Sequence, residues 1–262
     1  MLNLKHISKI FDSNPHTVQV ISNLTLSISE GEFVALVGPS GCGKTTLLKM
    51  VAGLVSPTLG EIALDGKPVA KPGSERGMVF QDFSLFPWLT ARENIAFGLS
   101  ERGVHKQTKE KIVNHYLRIT KLEKFASFYP RNLSGGMQQR VAIARVLANN
   151  PKILLMDEPF GSLDAQSRAR MQEFLTALWK KEHKTILFVT HDVGEAIFLA
   201  DTVYIATARP LQIKQKIAIP FARPRSRALK QSRDFFECET RVARELELNK
   251  SIDNSPRIAV FL

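Results

Sequence analysis

Leu2, Leu4 and Ile7 alternate with polar neighbours, and Val18, Val20, Leu24, Leu26 and Ile28 repeat that rhythm more loosely. Period-two patterning predicts strands with one buried face, here an antiparallel β layer opening the chain. Phe33–Val37 reads differently, because five consecutive apolar residues predict a strand covered on both faces. It runs into Gly38-Pro39-Ser40-Gly41-Cys42-Gly43 and then a helix-like stretch over residues 44–52. Residues 152–157 and Thr185–Thr190 predict two further buried strands, separated by a helical pattern over 165–181. Such alternation implies a parallel sheet with right-handed crossovers. Between the glycine stretch and residue 152, helical periods over 90–97, Lys106–Ile119 and 134–147 predict a mostly helical subdomain, about residues 88–150, inserted into the α/β core. Leu229, Phe235 or Phe236, Val242 and Leu246 mark a last helix over 227–248 on a charged background.

At 262 residues the chain suits one large α/β domain with a modest appendage. Its 44% hydrophobic and 23% charged content is ordinary for a globular protein and excludes a wholly disordered or fibrous chain. The apolar runs fall far short of the roughly 20 residues a bilayer-spanning helix needs. The first ten residues lack the apolar region of a secretory signal, and two cysteines, Cys42 and Cys238, cannot build a disulfide framework. A cytoplasmic, reducing setting is expected. The net charge of +11 points toward a polyanion until its distribution is read: residues 206–262 carry 12 basic and 6 acidic side chains, against 24 and 19 before them. Over half the excess lies in the last fifth of the chain, which suits a partner protein, anionic lipid headgroups, nucleic acid or a plain solvated face.

Gly38-Pro39-Ser40-Gly41-Cys42-Gly43-Lys44-Thr45 fits the phosphate-loop pattern G-x-x-x-x-G-K-[ST], with a buried strand before it and a helix after it. The glycines let backbone N–H groups close around phosphate oxygens at the positive end of the helix, where Thr46 also sits. Lys44 is placed to reach the β/γ-phosphates and the Thr45 hydroxyl to take a position on Mg²⁺. Cys42, beside Lys44 and a helix N-terminus, is expected to have a lowered thiol pKa and an incidental thiol sensitivity.

The strand over residues 153–157 ends in Asp157-Glu158, and ligands gather at the carboxyl ends of parallel strands. Alternation along an extended segment assigns Asp157 to the Mg²⁺ shell and Glu158 to the attacking water as general base. The alternative is a pair that caps the turn Pro159-Phe-Gly-Ser-Leu-Asp164. His191 ends the next strand, positioned to contact the γ-phosphate or to orient Glu158 and the water.

Leu133-Ser134-Gly135-Gly136-Met137-Gln138-Gln139-Arg140 opens a further helix, with Ser134 as N-cap and two glycines beside bare N–H groups: a second anion site. With this string, the chain resembles the ATP-binding cassette (ABC) ATPases over roughly residues 2–225, leaving 226–262 as a basic, helical C-terminal tail. The resemblance implies a P-loop NTPase (RecA-like) core, ATP and Mg²⁺ as ligands, and a homodimer in which Ser134, Gly135, Gly136 and Gln138 act on the nucleotide of the second subunit. It also implies that Phe11 stacks on adenine, that Gln81 touches Mg²⁺ and the water, and that Asp164 belongs to the D-loop, with Gly161 where many members have Ser.

With no membrane span of its own, such a chain would serve two separate permease subunits from the cytoplasmic face of the inner membrane. The strings 79–90, 156–164, 191–201, Ala208-Arg-Pro210 and Arg223-Pro-Arg225 look most like the nitrate/sulfonate/taurine branch of bacterial import ATPases. That resemblance implies uptake of a small oxyanion or organosulfonate with a periplasmic or lipid-anchored solute-binding protein, and no specific nucleic acid. Export or lipid trafficking, import of another solute, and a soluble ATPase acting on nucleic acid are the alternatives. The apolar run Phe83, Leu85, Phe86, Trp88 and Leu89 is read either as a core helix or as a cleft for a short permease helix.

Overall fold

The computed structural model describes residues 1–13 and 16–253, with side chains over 1–12 and 17–247. Along the chain run β1 (Leu2–Ser13), β2 (His16–Ile28), β3 (Phe33–Val37), α1 (Lys44–Val51), β4 (Leu59–Leu64), β5 (Lys67–Pro68) and β6 (Arg76–Val79). Helices α2 (Ala91–Glu101), α3 (Lys106–Ile119) and α4 (Gly135–Leu147) follow, then β7 (Ile153–Asp157), α5 (Ala165–Glu182), β8 (Thr185–Thr190), α6 (Val193–Leu199), β9 (Thr202–Ala206), β10 (Ile213–Ala218) and α7 (Arg233–Asp253). The antiparallel layer has the order β2-β1-β4-β5, and the larger sheet β10-β9-β3-β8-β7-β6, parallel except for β10.

Strands buried on both faces must supply two cores, and their alternation does so. Phe33, Ala35 and Val37 enter one cluster with Leu154, Met156, Ile186 and Phe188, which the helices α2 to α7 cover. Val34 and Leu36 enter the other with Ile153, Leu155, Leu187 and Val189, closed by α1 and the antiparallel layer. Each fully buried side chain of this size contributes about 1.5–3 kcal/mol relative to exposure. The arrangement is the α/β fold expected from the pattern, with the antiparallel layer on one side and α2–α4 inserted between β6 and β7.

Strands β4, β6, β9 and β10 and helix α6 add to the elements expected from sequence. β6 is short, and its Gly77 conceals the apolar pattern; a Cβ there would lie 2.3 Å from Val146 Cγ1 of α4, so close helix–sheet approach demands glycine. β10 is an edge strand that alternates Ile, Lys, Gln, Lys and Ile. The last helix also differs: residues 227–231 form a 3-10 turn, and α7 begins after Ser232, whose hydroxyl accepts from Phe235 N at 3.2 Å. Phe235 is the buried member of its pair, while Phe236 faces solvent.

Several cations of the basic C-terminal region have local partners. Lys214 pairs with Glu245, Arg223 with Asp201, Arg227 with Glu173 and Arg233 with Glu237. Arg225 is buried and donates through Nη1 to the carbonyls of Ile197, Phe198 and Ala200, satisfying the orphan end of α6. Burial, then neighbouring Arg223, lowers its pKa to about 10. Of the basic tail expected over 226–262, residues 254–262 lie outside the described residues.

Candidate functional site

The register of the parallel sheet brings the chemistry to one edge. Val37 is level with Thr190 and Ile205, Asp157 with Val189, and Val79 with Met156, so the strand ends release residues 38–43, 158, 191 and 80–81 side by side. Gly43 is the N-cap of α1, at φ 118°, with no side-chain cap. A Cβ there would meet Val20 Cγ1 at 2.8 Å, so the turn and the β2 contact both require glycine. The helix therefore offers bare N–H groups toward the loop.

Lys44 is 4% exposed; its Nζ donates to the carbonyls of Gly38 and Pro39, both at 2.8 Å, and lies 3.7 Å from Glu158 Oε1. Thr45 Oγ1 donates to Asp157 Oδ1 at 3.1 Å. Burial raises the pKa of Asp157, with Glu158 pushing the same way. Glu158 Oε2 lies 2.8 Å from His191 Nδ1. One constellation thus joins Lys44, Thr45, Asp157, Glu158 and His191. A hydroxyl and a buried carboxylate side by side are hard oxygen donors, and the carboxylate disfavours its own charge without a cation; both features fit Mg²⁺, which Thr45 and Asp157 would hold and which would supply positive charge beside a phosphate.

Two details depart from the sequence reading. Simple alternation does not separate Asp157 from Glu158, because β7 ends at Asp157 and Glu158 turns away with φ 42°. Its N–H is held by Val189 O at 2.9 Å, and that bond offsets a conformation costing about 1–2 kcal/mol. Second, Cys42 does not have a lowered pKa: it is 2% exposed, and desolvation raises its thiol pKa above the pull of Lys44 and Arg209. Iodoacetamide at pH 7 is therefore expected to label Cys42 at less than about a tenth of the rate of a free cysteine, read by mass spectrometry. Labelling at the free rate would contradict the burial.

The carboxylates of Asp157 and Glu158 bond to Thr45 and His191 and not to the turn over 159–164. Asp164 caps the next helix, accepting from Ser167 N at 2.9 Å, and the Ser167 hydroxyl, then its N–H, lowers the pKa of the carboxylate. Gln81 is solvent-exposed, and a Cβ built on Gly161 would stand 3.9 Å from its Nε2, so a hydroxyl there would face the amide. Ser134 and Gln138 bond within their own turn, Ser134 Oγ accepting from Met137 N at 3.3 Å and Gln138 Nε2 donating to Leu133 O at 3.0 Å. Gly135 packs toward Leu163 and Phe83, and Gly136 is buried. The turn bearing Ser134, Gly135, Gly136 and Gln138 thus touches the D-loop, apart from the Lys44 cluster. Phe11 is exposed near the tip of the β1–β2 hairpin, under Lys9 Nζ at 4.8 Å from the ring.

Residues absent from the sequence reading also matter. Arg209 Nη2 donates to Gly41 O at 2.6 Å, reaching the loop from 168 residues away; the string Ala208-Arg-Pro210 carried only the branch resemblance and no contact with the loop. Buried Asn94 accepts from Phe86 N and donates to the carbonyls of Phe86, Leu89 and Thr90. These bonds hold residues 83–89 as an irregular segment, which excludes the core helix. Phe83 and Leu85 turn inward, Trp88 is 69% exposed, and beside them lies a cavity of about 500 Å³ lined by Phe80, Phe86, Phe97, Arg145 and Asn149. Among the described residues, no helix is long and apolar enough to cross a membrane.

The family profile described as ABC transporter matches residues 21–161. The nitrate import ATP-binding protein NrtD of Synechocystis is 48% identical over 83% of this chain and 82% of its own length. The aliphatic sulfonates import ATP-binding protein SsuB of Bacillus thuringiensis is 43% identical over 97% of this chain and 99% of its own. A solved dimeric ATP-binding cassette in a post-hydrolysis state, bound to ADP and Pi, superposes with TM-score 0.74 at 33% identity, over 85% of this chain and all of that one.

Proposed function

The chain belongs to the ABC transporter family, and from that premise we propose that it is the ATP-hydrolysing subunit of an importer, driving uptake of a small oxyanion or organosulfonate through separate permease subunits. The observation that carries this reading is the Lys44–Thr45–Asp157–Glu158–His191 constellation, in a chain whose near full-length relatives are named for nitrate and sulfonate import. The working unit is a homodimer: residues 38–46 and Phe11 of one copy hold ATP, and Ser134, Gly135, Gly136 and Gln138 of the other close over it. Binding the transferring phosphoryl group is a task of position and charge, for Lys44 and the loop N–H groups. Glu158 takes the proton of the attacking water, His191 holds Glu158 in place, and Asp164 and Gln81 line the approach. Thr45, Asp157 and Gln81 are the side chains suited to hold Mg²⁺, which when bound neutralises phosphate charge.

The cleft beside Phe86 and Phe97 suits a short permease helix, since large apolar groups on an exposed rim mark a docking surface. The assembly sits peripherally on the cytoplasmic face of the membrane, and a solute-binding protein delivers the substrate.

Affinity capture of the tagged chain from detergent-solubilised membranes tests this reading. It is expected to recover permease subunits, and vesicles holding the complex are expected to take up labelled nitrate or an alkanesulfonate with ATP. Recovery of nucleic acid without a permease would overturn it. Phe97→Ser with Trp88→Ala is expected to abolish permease recovery while the ATPase rate of the isolated subunit persists; undiminished recovery would remove the cleft from the docking surface.

A further inference from the structure

His191 is 56% exposed in its side chain, and its ring bonds to Glu158. What fixes its backbone is a closed set of bonds to either side. Thr190 Oγ1 donates to Glu195 Oε2 at 3.0 Å and accepts from Asp192 N at 3.0 Å, while Asp192 Oδ1 accepts from Glu195 N at 2.8 Å. Both neighbours of His191 are therefore tied to Glu195, which is itself only 5% exposed.

Two further contacts leave this ring. Arg168 of α5 donates to the D-loop carbonyl of Leu163 at 3.2 Å, with its Nε 3.7 Å from Glu195 Oε1 and its Nη1 4.0 Å from Asp192. Gln172 Nε2 donates to Glu195 Oε1 at 3.2 Å, and Gln172 Oε1 accepts from Lys230 Nζ at 2.7 Å. Lys230 belongs to the 3-10 turn before α7, and its ammonium lies 4.7 Å from the centre of the Phe198 ring. A buried polar chain thus runs from the C-terminal region through Gln172 and Glu195 to the turn carrying His191, with a branch to the D-loop.

We propose that Glu195 is a positioning residue for ATP hydrolysis, holding the His191 turn and the D-loop in one register, and that Lys230 makes this register depend on docking of the C-terminal region. The inference rests on the ATPase reading. In a buried polar network each member orients the next, so loss of one loosens the rest; Arg168 Nε is buried with no hydrogen bond of its own and has only the charge of Glu195 beside it. Glu195 faces Asp192 on its own turn, Thr190 on β8, Arg168 and Gln172 on α5, and, through Gln172, Lys230. Burial, then Asp192, raises its pKa, whereas Arg168 opposes the rise. Burial lowers the pKa of Lys230, while Asp192 and then Glu195 favour its charged form, and by Coulomb's law the ammonium in turn favours the carboxylate. Protonating Glu195 removes the charge that holds Arg168, so activity is expected to fall on the acid side. Removing Lys230 favours the protonated form and moves that fall to higher pH.

The test uses the full chain with Lys230→Met, Lys230→Arg and Glu195→Gln, following kcat and KM for ATP against pH, with thermal melting alongside. Lys230→Met is expected to lower kcat about fivefold at pH 7 with KM unchanged, and to shift the acid limb upward. Lys230→Arg is expected to restore both, and Glu195→Gln to lower kcat while flattening the acid limb. Wild-type kcat and an unmoved acid limb in Lys230→Met would overturn the proposal. So would a loss in which kcat and KM change only in step with melting temperature. A native chain without ATPase activity would instead defeat the underlying reading.

Discussion

Glu158→Gln is expected to bind ATP with near-native affinity and to hydrolyse it at least ~10²-fold more slowly, the lower end of what a general base supplies. The substitution keeps the shape of the side chain and the backbone turn at φ 42°, where the N–H bond to Val189 O is independent of the side chain. It removes the proton acceptor and replaces the charged contact to His191 with a neutral one. Nucleotide affinity is preserved because Glu158 itself opposes the triphosphate; losing one negative charge 3.7 Å from Lys44 leaves the loop no worse as an anion site. Equilibrium binding of a fluorescent ATP analogue and a phosphate-release assay separate the two effects. A turnover within about threefold of native would assign the proton transfer elsewhere.

The site was legible in the sequence where its residues end apolar runs. Asp157 ends a strand buried on both faces, Lys44, Glu158 and His191 come after such strands, and parallel pairing does the rest by lining up the strand ends. Elements with two apolar faces or a clean helical period were legible for the same reason. Less could be read where a distant group decides. Arg209 reaches Gly41 across 168 residues, and nothing near either residue encodes the meeting. Cys42 shows two rules in competition: the charges beside it in sequence favour the thiolate, but its 2% exposure, set by the packing of the loop against Ala206 and Val20, wins. The run from Phe83 to Leu89 has the composition of a core element; one buried amide, Asn94, binds its backbone into an irregular segment and leaves Trp88 outside. The buried chain from Lys230 to Glu195 is invisible for a related reason, since its members sit on four separate segments.

Lys44→Ala and Lys44→Arg are both expected to weaken ATP binding about 10²-fold, the loss of one to two charge-assisted hydrogen bonds at about 1.5–3 kcal/mol each. In the alanine variant the pocket keeps Asp157 and Glu158 without their nearest cation, so the loop that attracted a triphosphate now repels it. The arginine variant keeps the charge but not the fit. Lys44 is 4% exposed, and its ammonium is a compact donor aimed at two carbonyls 2.8 Å away; a planar guanidinium needs more width and presents its donors in a fixed fork. That the arginine variant fails alongside alanine distinguishes a positioned donor from a general requirement for positive charge. Both variants are expected to stay folded, because core cluster residues Leu47, Leu48 and Val51 hold α1 without help from the loop. Titration of a fluorescent nucleotide, with far-UV circular dichroism as the folding control, reads the outcome. If the arginine variant binds ATP within about threefold of native, then net charge at the loop, and not the placement of one ammonium between Gly38, Pro39 and Glu158, governs nucleotide capture.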